Sequence, residues 1–319
     1  MEIFLTSFVS LFQSILMIFL IALIAGLLVR KKIINDEHIK GLSLITINIL
    51  LPSLIFNKIT TGLNPGEFPI WWMIPLIAMA TTGIGFSLAW FFWRKQLPEK
   101  RNLLPMAALM NAGYFILPIG QIIYADQFDK FAMYVSLYIM GISPVVWSFG
   151  KYLITDPAKN KNGWKGLMTP PLIANFAGLF FVFTGLRNYI PAFISDGIEI
   201  LSDATVPIAT LILGATLGAL PWKFKPYLKE LSVTVFIKLL AVPAVVFLIL
   251  YNSPLILKYP LLGDLLILEA AAPAATALII QIRRYGGNQE RAGTILIFSY
   301  LACMILIPIW LSLWTSLHH

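Results

Sequence analysis

Residues 111–124 read NAGYFILPIGQIIY, inside a stretch, 102–125, that carries no charged side chain. A run of about 20 apolar residues rising 1.5 Å each crosses a hydrocarbon core of roughly 30 Å. This run is long enough, yet an amide, Asn111, a glycine, Gly113, and a proline, Pro118, stand in its middle. Gly113 and Pro118 are expected to interrupt the hydrogen-bond ladder of the helix. Freed backbone groups at membrane depth persist only where protein or a watery cavity surrounds them. The stretch therefore predicts a broken membrane helix, and its break marks a place of interest.

The rest of the chain repeats the apolar theme. Of 319 residues, 59% are hydrophobic and 12% charged; soluble domains carry roughly 25% charge. Uncharged runs span 3–29, 41–57, 68–93, 102–125, 131–150, 166–186, 204–222, 239–257 and 292–319, and 260–282 is interrupted only by Asp264 and Glu269. These predict an all-α polytopic membrane protein with ten transmembrane helices. The first run is too long for a signal h-region and lacks a basic segment before it, so it reads as the first span. The single cysteine, Cys303, excludes an internal disulfide. The histidines are His38, His318 and His319, the last two either native or a tag remnant, and they form no metal cluster.

Basic residues alternate along the chain. The loops 30–40, 94–101 and 151–165 carry four each, 223–229 and 283–291 three each, and the segments between them one each at Lys58, Lys130, Arg187 and Lys258, apart from Lys238 inside an apolar run. Positive loops stay in the cytoplasm. The expected topology is a multi-pass protein of the cytoplasmic membrane with both termini extracytoplasmic. The net charge of +8 is thus a topology signal, and no nucleic-acid partner is expected from charges spread over five short loops. The lipid bilayer is the partner the composition demands.

Five spans is an odd number, so two five-span halves enter the membrane with opposite orientation. The expected division is 1–154, a cytoplasmic linker at 155–166, and 167–319. Pro52 in span 2 is echoed by Pro207 in span 7, and Pro118 in span 4 by Pro273 in span 9. Inverted repeats with broken helices at matching positions point to a secondary transporter. A lone proline reads first as a passive kink; a matched pair with an amide beside one reads as a site. If the breaks cross near the midplane, two half-helices aim their N-terminal amides at one point, which suits an anion. Asn111 adds a donor and an acceptor. Asn48, Ser53, Tyr114, Gln121 and Thr276 are candidate neighbours of Asn111, Pro118 and Pro273. No exposed GxxxG pairing motif stands out.

The stretches LITINILLPSLIF (44–56), NAGYFILPIGQIIY (111–124), TPPLIANFAGLFFVFTGL (169–186), FIKLLAVPAVV (236–246) and LEAAAPAATALIIQIRRYGG (268–287) resemble the auxin efflux carrier family, which includes plant PIN-type carriers and bacterial organic-anion carriers. Asn111 and Pro118 keep the family's spacing of asparagine and crossing proline. The resemblance implies the ten-helix 5+5 inverted-repeat fold with crossing helices 4 and 9, shared with bile-acid-type sodium symporters. It also implies a scaffold from helices 1, 2, 6 and 7, a transport domain from helices 3–5 and 8–10, and dimers through the scaffold. The implied function is an elevator-like or rocking carrier for a small organic anion, a carboxylate or auxin-like acid, with no bound cofactor. The symporter resemblance supplies the alternative, a sodium-coupled carrier, with Glu269 placed where that group keeps a sodium-holding glutamate.

Charge inside hydrocarbon costs at least roughly 2.5–3.5 kcal/mol on insertion scales, which makes Lys58, Asp203, Lys238 and Glu269 conspicuous. Lys58 is expected to snorkel toward the surface. Asp203 either caps a helix or takes part in coupling. Glu269 pairs with Lys238, binds a cation such as Na⁺, or takes up H⁺; the last two would couple transport to an ion gradient. An intramembrane metalloprotease or rhomboid-like enzyme needs a membrane histidine, and none lies between residues 39 and 317. A channel usually shows filter repeats or charge rings, which are not evident.

Overall fold

The structure is a computed structural model, and it describes residues 2–154, 168–221, 225–285 and 287–318. The expected linker at 155–166 and His319 lie outside these residues. Among the described residues every regular element is helical, and the only extended pairing is an isolated antiparallel bridge between Met110 and Ala274.

The elements run α1 (Glu2–Arg30), α2 (Asp36–Ile45), α3 (Leu51–Gly62), α4 (Met73–Trp93), α5 (Leu97–Lys100), α6 (Leu103–Ala108), α7 (Leu117–Ile123), α8 (Phe128–Val145), α9 (Lys151–Ile154), α10 (Pro170–Thr184), α11 (Ala192–Gly218), α12 (Leu228–Phe236), α13 (Val242–Tyr251), α14 (Pro254–Lys258), α15 (Pro260–Ala271), α16 (Ala277–Tyr285) and α17 (Gln289–His318). Several join end to end, and seven continuous helices are long and apolar enough to cross a membrane. Ala112–Ile123 and Pro170–Thr184 are shorter apolar helices. The segment 260–285 is divided into α15 and α16. Among the described residues seven candidate spans are therefore unbroken, and the interrupted or shorter segments fall below the length of a continuous span.

Local sequence explains the boundaries. Asn35 caps α2 by accepting from the His38 amide at 3.0 Å, while His38 Nδ1 accepts from the Asn35 amide at 3.4 Å. Thr169 caps α10 just before two prolines that need no amide partner in a first turn, and Gly185, at φ +74°, ends it. Pro52, Pro118 and Pro243 each follow by two residues a widened π-turn, at Thr46–Leu50, Ala112–Ile116 and Ile237–Ala241. A proline ring displaces the carbonyl four residues back, and the wider turn makes room for it.

One seam was not apparent from composition. Ala22 and Gly26 of α1 face Gly214 and Gly218 of α11, the small-xxx-small pattern that lets membrane helices approach closely. A Cβ on Gly214 would lie 2.0 Å from the Ala22 carbonyl oxygen, and one on Gly218 2.6 Å from Gly26 Cα. Backbone cannot yield cheaply, so Gly214→Ala should cost about 1–3 kcal/mol. In a detergent melt the variant should lose several degrees. Gly41→Ala, where a Cβ meets nothing within 4 Å, should stay within error. Equal melting of the two variants would contradict the seam.

Candidate functional site

The break expected at Gly113 and Pro118 falls earlier. The chain is extended at Leu109 (φ −88°, ψ 125°) and leaves helical geometry at Asn111 (φ −91°, ψ 70°), while Pro118 sits in the first turn of α7. There its missing N–H costs nothing, so the proline marks a restart and not the break. The second break lies where Pro273 predicts it, at Ala272–Thr276, between α15 and α16.

The two breaks meet. The Asn111 amide donates to the Pro273 carbonyl at 3.0 Å, and the Ala275 amide donates to the Leu109 carbonyl at 3.1 Å. Each interrupted helix thereby supplies backbone partners that the other lacks. Asn111 is 7% exposed. Its Nδ2 donates to the Tyr300 hydroxyl and to Thr276 Oγ1 at 3.4 Å, and its Oδ1 accepts from the Tyr114 amide at 3.3 Å. It is at once the cap of the restarted helix and a bridge to α16 and α17.

A cavity of about 330 Å³ opens beside this junction. The first turns of both restarted helices line it, through Ala112 and Gly113 on one side and Thr276 and Ala277 on the other. Its walls are largely apolar, with Ile139, Ile142 and Trp147 prominent, and among the described residues no charged side chain lines it. Polar atoms are few. Ser143 and Thr169 hydrogen bond to each other at 2.9 Å, and Ser43 donates to the Ile39 carbonyl at 2.7 Å. The buried Tyr114 hydroxyl has no hydrogen-bond partner. Away from the junction, the cavity is lined by Ser43, Trp147, Met168, Thr216 and Ile280. Ser43, Trp147, Thr216 and Ile280 lie on the parts of their helices nearer a basic loop, and Met168 just precedes α10, so the cavity occupies the basic-loop half of the protein.

Of the residues singled out in the sequence, Asn111, Tyr114 and Thr276 line the cavity. Pro273 holds the junction through its carbonyl, and Pro118 is buried in α7, which leads away from the cavity. Asn48, Ser53 and Gln121 fall elsewhere. The cavity face of the second span runs through Ser43, Ile47 and Leu51 at four-residue steps. Asn48 lies one position off that row, exposed and bonded to the Leu44 carbonyl at 2.7 Å, and Ser53 bonds to Ile49 at 2.8 Å. Gln121 and Asp203 are exposed. Asp203 caps nothing, since α11 begins eleven residues earlier at Ala192. Tyr300, Ser43, Ser143, Thr169 and Thr216 were not anticipated. Hydroxyls scattered through apolar runs carry no local signal of what they face.

Glu269 on α15 is 0% exposed, and neither carboxylate oxygen has a hydrogen-bond partner. Lys238, 1% exposed, directs its ammonium to the Ala270 carbonyl at 3.4 Å. Of the three alternatives for Glu269, pairing with Lys238 takes no direct form among the described residues, although the two charges act on each other. Lys58 does not snorkel freely; it pairs with Asp129 at 2.7 Å.

Long apolar helices interrupted at two points, with the interruptions joined beside a cavity, define a polytopic membrane transport protein. The chain belongs to the auxin efflux carrier-type membrane transport family: the profile of that family, described as membrane transport protein, matches it twice, over residues 10–162 and 157–311. It is similar to an uncharacterized transporter of Methanocaldococcus jannaschii, 25% identical over 315 residues, covering 93% of this chain and 97% of the relative. It also resembles an uncharacterized transporter of Methanothermobacter thermautotrophicus, 23% identical over 305 residues, with 93% and 96% covered. An uncharacterized transporter of Saccharomyces cerevisiae matches at 28% over 155 residues, 44% of this chain and 26% of that protein.

Proposed function

We propose that this protein is a secondary carrier for a small organic anion, with substrate held at the junction of the two interrupted helices and moved by elevator-like alternating access. The carrying observation is the paired break. Two helices restart at one point and line one cavity of about 330 Å³, so their N-terminal dipoles converge where an anion would sit without a buried lysine or arginine. The largely apolar walls, without a charged side chain among the described residues, suit a carboxylate with an apolar body better than a dicarboxylate. The double family match supports two five-helix halves in inverted repeat, with the interrupted and shorter segments bringing the span count to ten. Spans 1, 2, 6 and 7 form the scaffold, through which two copies pair, and spans 3–5 and 8–10 the transport domain.

The reading is tested by binding. A ligand that binds the folded state raises the melting temperature by mass action, equivalent to about 2.7 kcal/mol at a hundred times its dissociation constant. Purified protein should be stabilised by monocarboxylates with an aromatic or branched body and not by malate or malonate. A panel in which no carboxylate shifts the melt, with Na⁺ or without it and across pH, would refute the anion-carrier reading. Orientation is tested separately. Lys31→Cys, on an exposed residue of a basic loop, should react with an impermeant maleimide only from the cytoplasmic side; labelling in intact cells would invert the topology.

A second reading has its own support. A fully buried carboxylate at Glu269 that accepts no hydrogen bond is costly unless a cation or proton accompanies it. We therefore include coupling to Na⁺ or H⁺ through Glu269 in the proposal.

A further inference from the structure

The second span and α8 form a V. Near the cavity they stand apart, with Ser43, Ile47 and Leu51 on one wall and Ile139, Ile142, Ser143 and Val146 on the other. Toward the opposite end they converge. A Cβ on Gly62 of α3 would touch Met133 of α8 at 3.5 Å, and Leu63 and Met133 are 0% and 2% exposed. At this closed end Lys58 of α3 donates to Asp129 Oδ1 at 2.7 Å. Lys58 lies seven residues beyond the cavity residue Leu51, and Asp129 ten residues before Ile139, about 10 and 15 Å along their helices.

The two partners differ in their surroundings. The Lys58 side chain is 8% exposed, whereas that of Asp129 is 78% exposed. An ammonium so enclosed needs a counter-charge, because losing it leaves a desolvated cation. The α3 end around it is itself held, since Arg187, beyond α10, donates to the carbonyls of Thr60 at 3.3 Å and Leu63 at 2.7 Å. If the V opens here, water reaches Lys58, and Asp129 is already wet. The pair is thus strong when the end is shut and dispensable when it is open. At the cavity end the same span reaches α16 through Asp36 and Arg283, 3.5 Å apart, with side chains 74% and 36% exposed. That pair is screened by solvent and holds little.

We infer that the Lys58–Asp129 pair is a gate clasp, which shuts the end of the protein away from the basic loops while the cavity is open toward them. The inference rests on the alternating-access reading above. Releasing the clasp shifts the population toward the state open at the other end.

Two single-cysteine reporters test it in purified protein, where the native Cys303 is buried. Met133→Cys reports the clasped end and Ser43→Cys the cavity, each by its rate of reaction with a water-soluble maleimide. Asp129→Asn, and independently Lys58→Met, which removes the enclosed charge and keeps apolar bulk, should raise the Met133→Cys rate by about tenfold and lower that of Ser43→Cys. A rise at Met133→Cys with Ser43→Cys unchanged supports the clasp but refutes alternation of the two ends. No rise at Met133→Cys in either variant overturns the clasp and leaves the carrier reading standing. Equal rises at both reporters mean general loosening and also overturn the clasp.

Discussion

Asn111→Ala should reduce the initial rate of substrate transport in liposomes by about ten- to a hundredfold. A hydrogen bond to a charged group contributes roughly 1.5–3 kcal/mol, and each 1.4 kcal/mol is about a factor of ten. Asn111 is the side-chain amide at the point where both restarted helices face the cavity. The variant also carries a cost that a free cavity donor would not. The Tyr300 hydroxyl, on a residue 1% exposed, loses Asn111 as its partner, and a buried group left unsatisfied costs about 1–3 kcal/mol. The melting temperature should therefore fall by several degrees along with the rate. Tyr300→Phe separates the two effects. It removes the hydroxyl together with its need, frees the Asn111 amide, and keeps the edge-to-face contact with Phe115, whose ring centroid lies 5.2 Å away. It should retain most transport. Normal kinetics in Asn111→Ala, or a rate loss in Tyr300→Phe as deep as in Asn111→Ala, would move the substrate site away from the junction.

Glu269→Gln should abolish gradient-driven accumulation while leaving binding in place. For one coupled proton, a pH difference of one unit is equivalent to about 1.4 kcal/mol and supports roughly tenfold accumulation; a tenfold Na⁺ gradient supports the same for one coupled Na⁺. Whichever ion drives the native protein, the glutamine variant should only equilibrate its substrate. Stability distinguishes this from a structural role. With neither carboxylate oxygen hydrogen bonded in the protein, the neutral amide removes the cost of burying a charge, and the melting temperature should hold or rise. A marked fall, restored by Lys238→Met in the same background, would make the two residues a structural ion pair and end the coupling proposal.

The amide in an apolar run and the two prolines drew attention to the right segments because each violates what a plain membrane helix requires. They misplaced the first break by several residues. Proline forbids a donor and a helical neighbour upstream, but a helix start satisfies both conditions, so Pro118 marks where order resumes. What the chain could not disclose locally is pairing across distance. Asn111 and Tyr300 are separated by 189 positions, and Ser143 and Thr169 meet only when α8 and α10 are placed side by side. The polar residues of the second span failed for a simpler reason. Asn48 is one position from the cavity row, and a single step turns a helical side chain by about 100°. A Lys238–Glu269 pair was one of three readings that charge alone left open, and the sequence carries no distance to choose between them.

The glycine seam between α1 and α11 bears on how the protein is made. Ala22 and Gly214 are about 190 residues apart, and at roughly 5–20 residues per second the ribosome needs about 10–40 s to reach the second from the first. For that interval α1 lies in the bilayer with its small-residue stripe uncovered and every intervening helix on offer. The bare stripe is a feature that membrane quality control can read as an unfinished chain, and it disappears when α11 arrives.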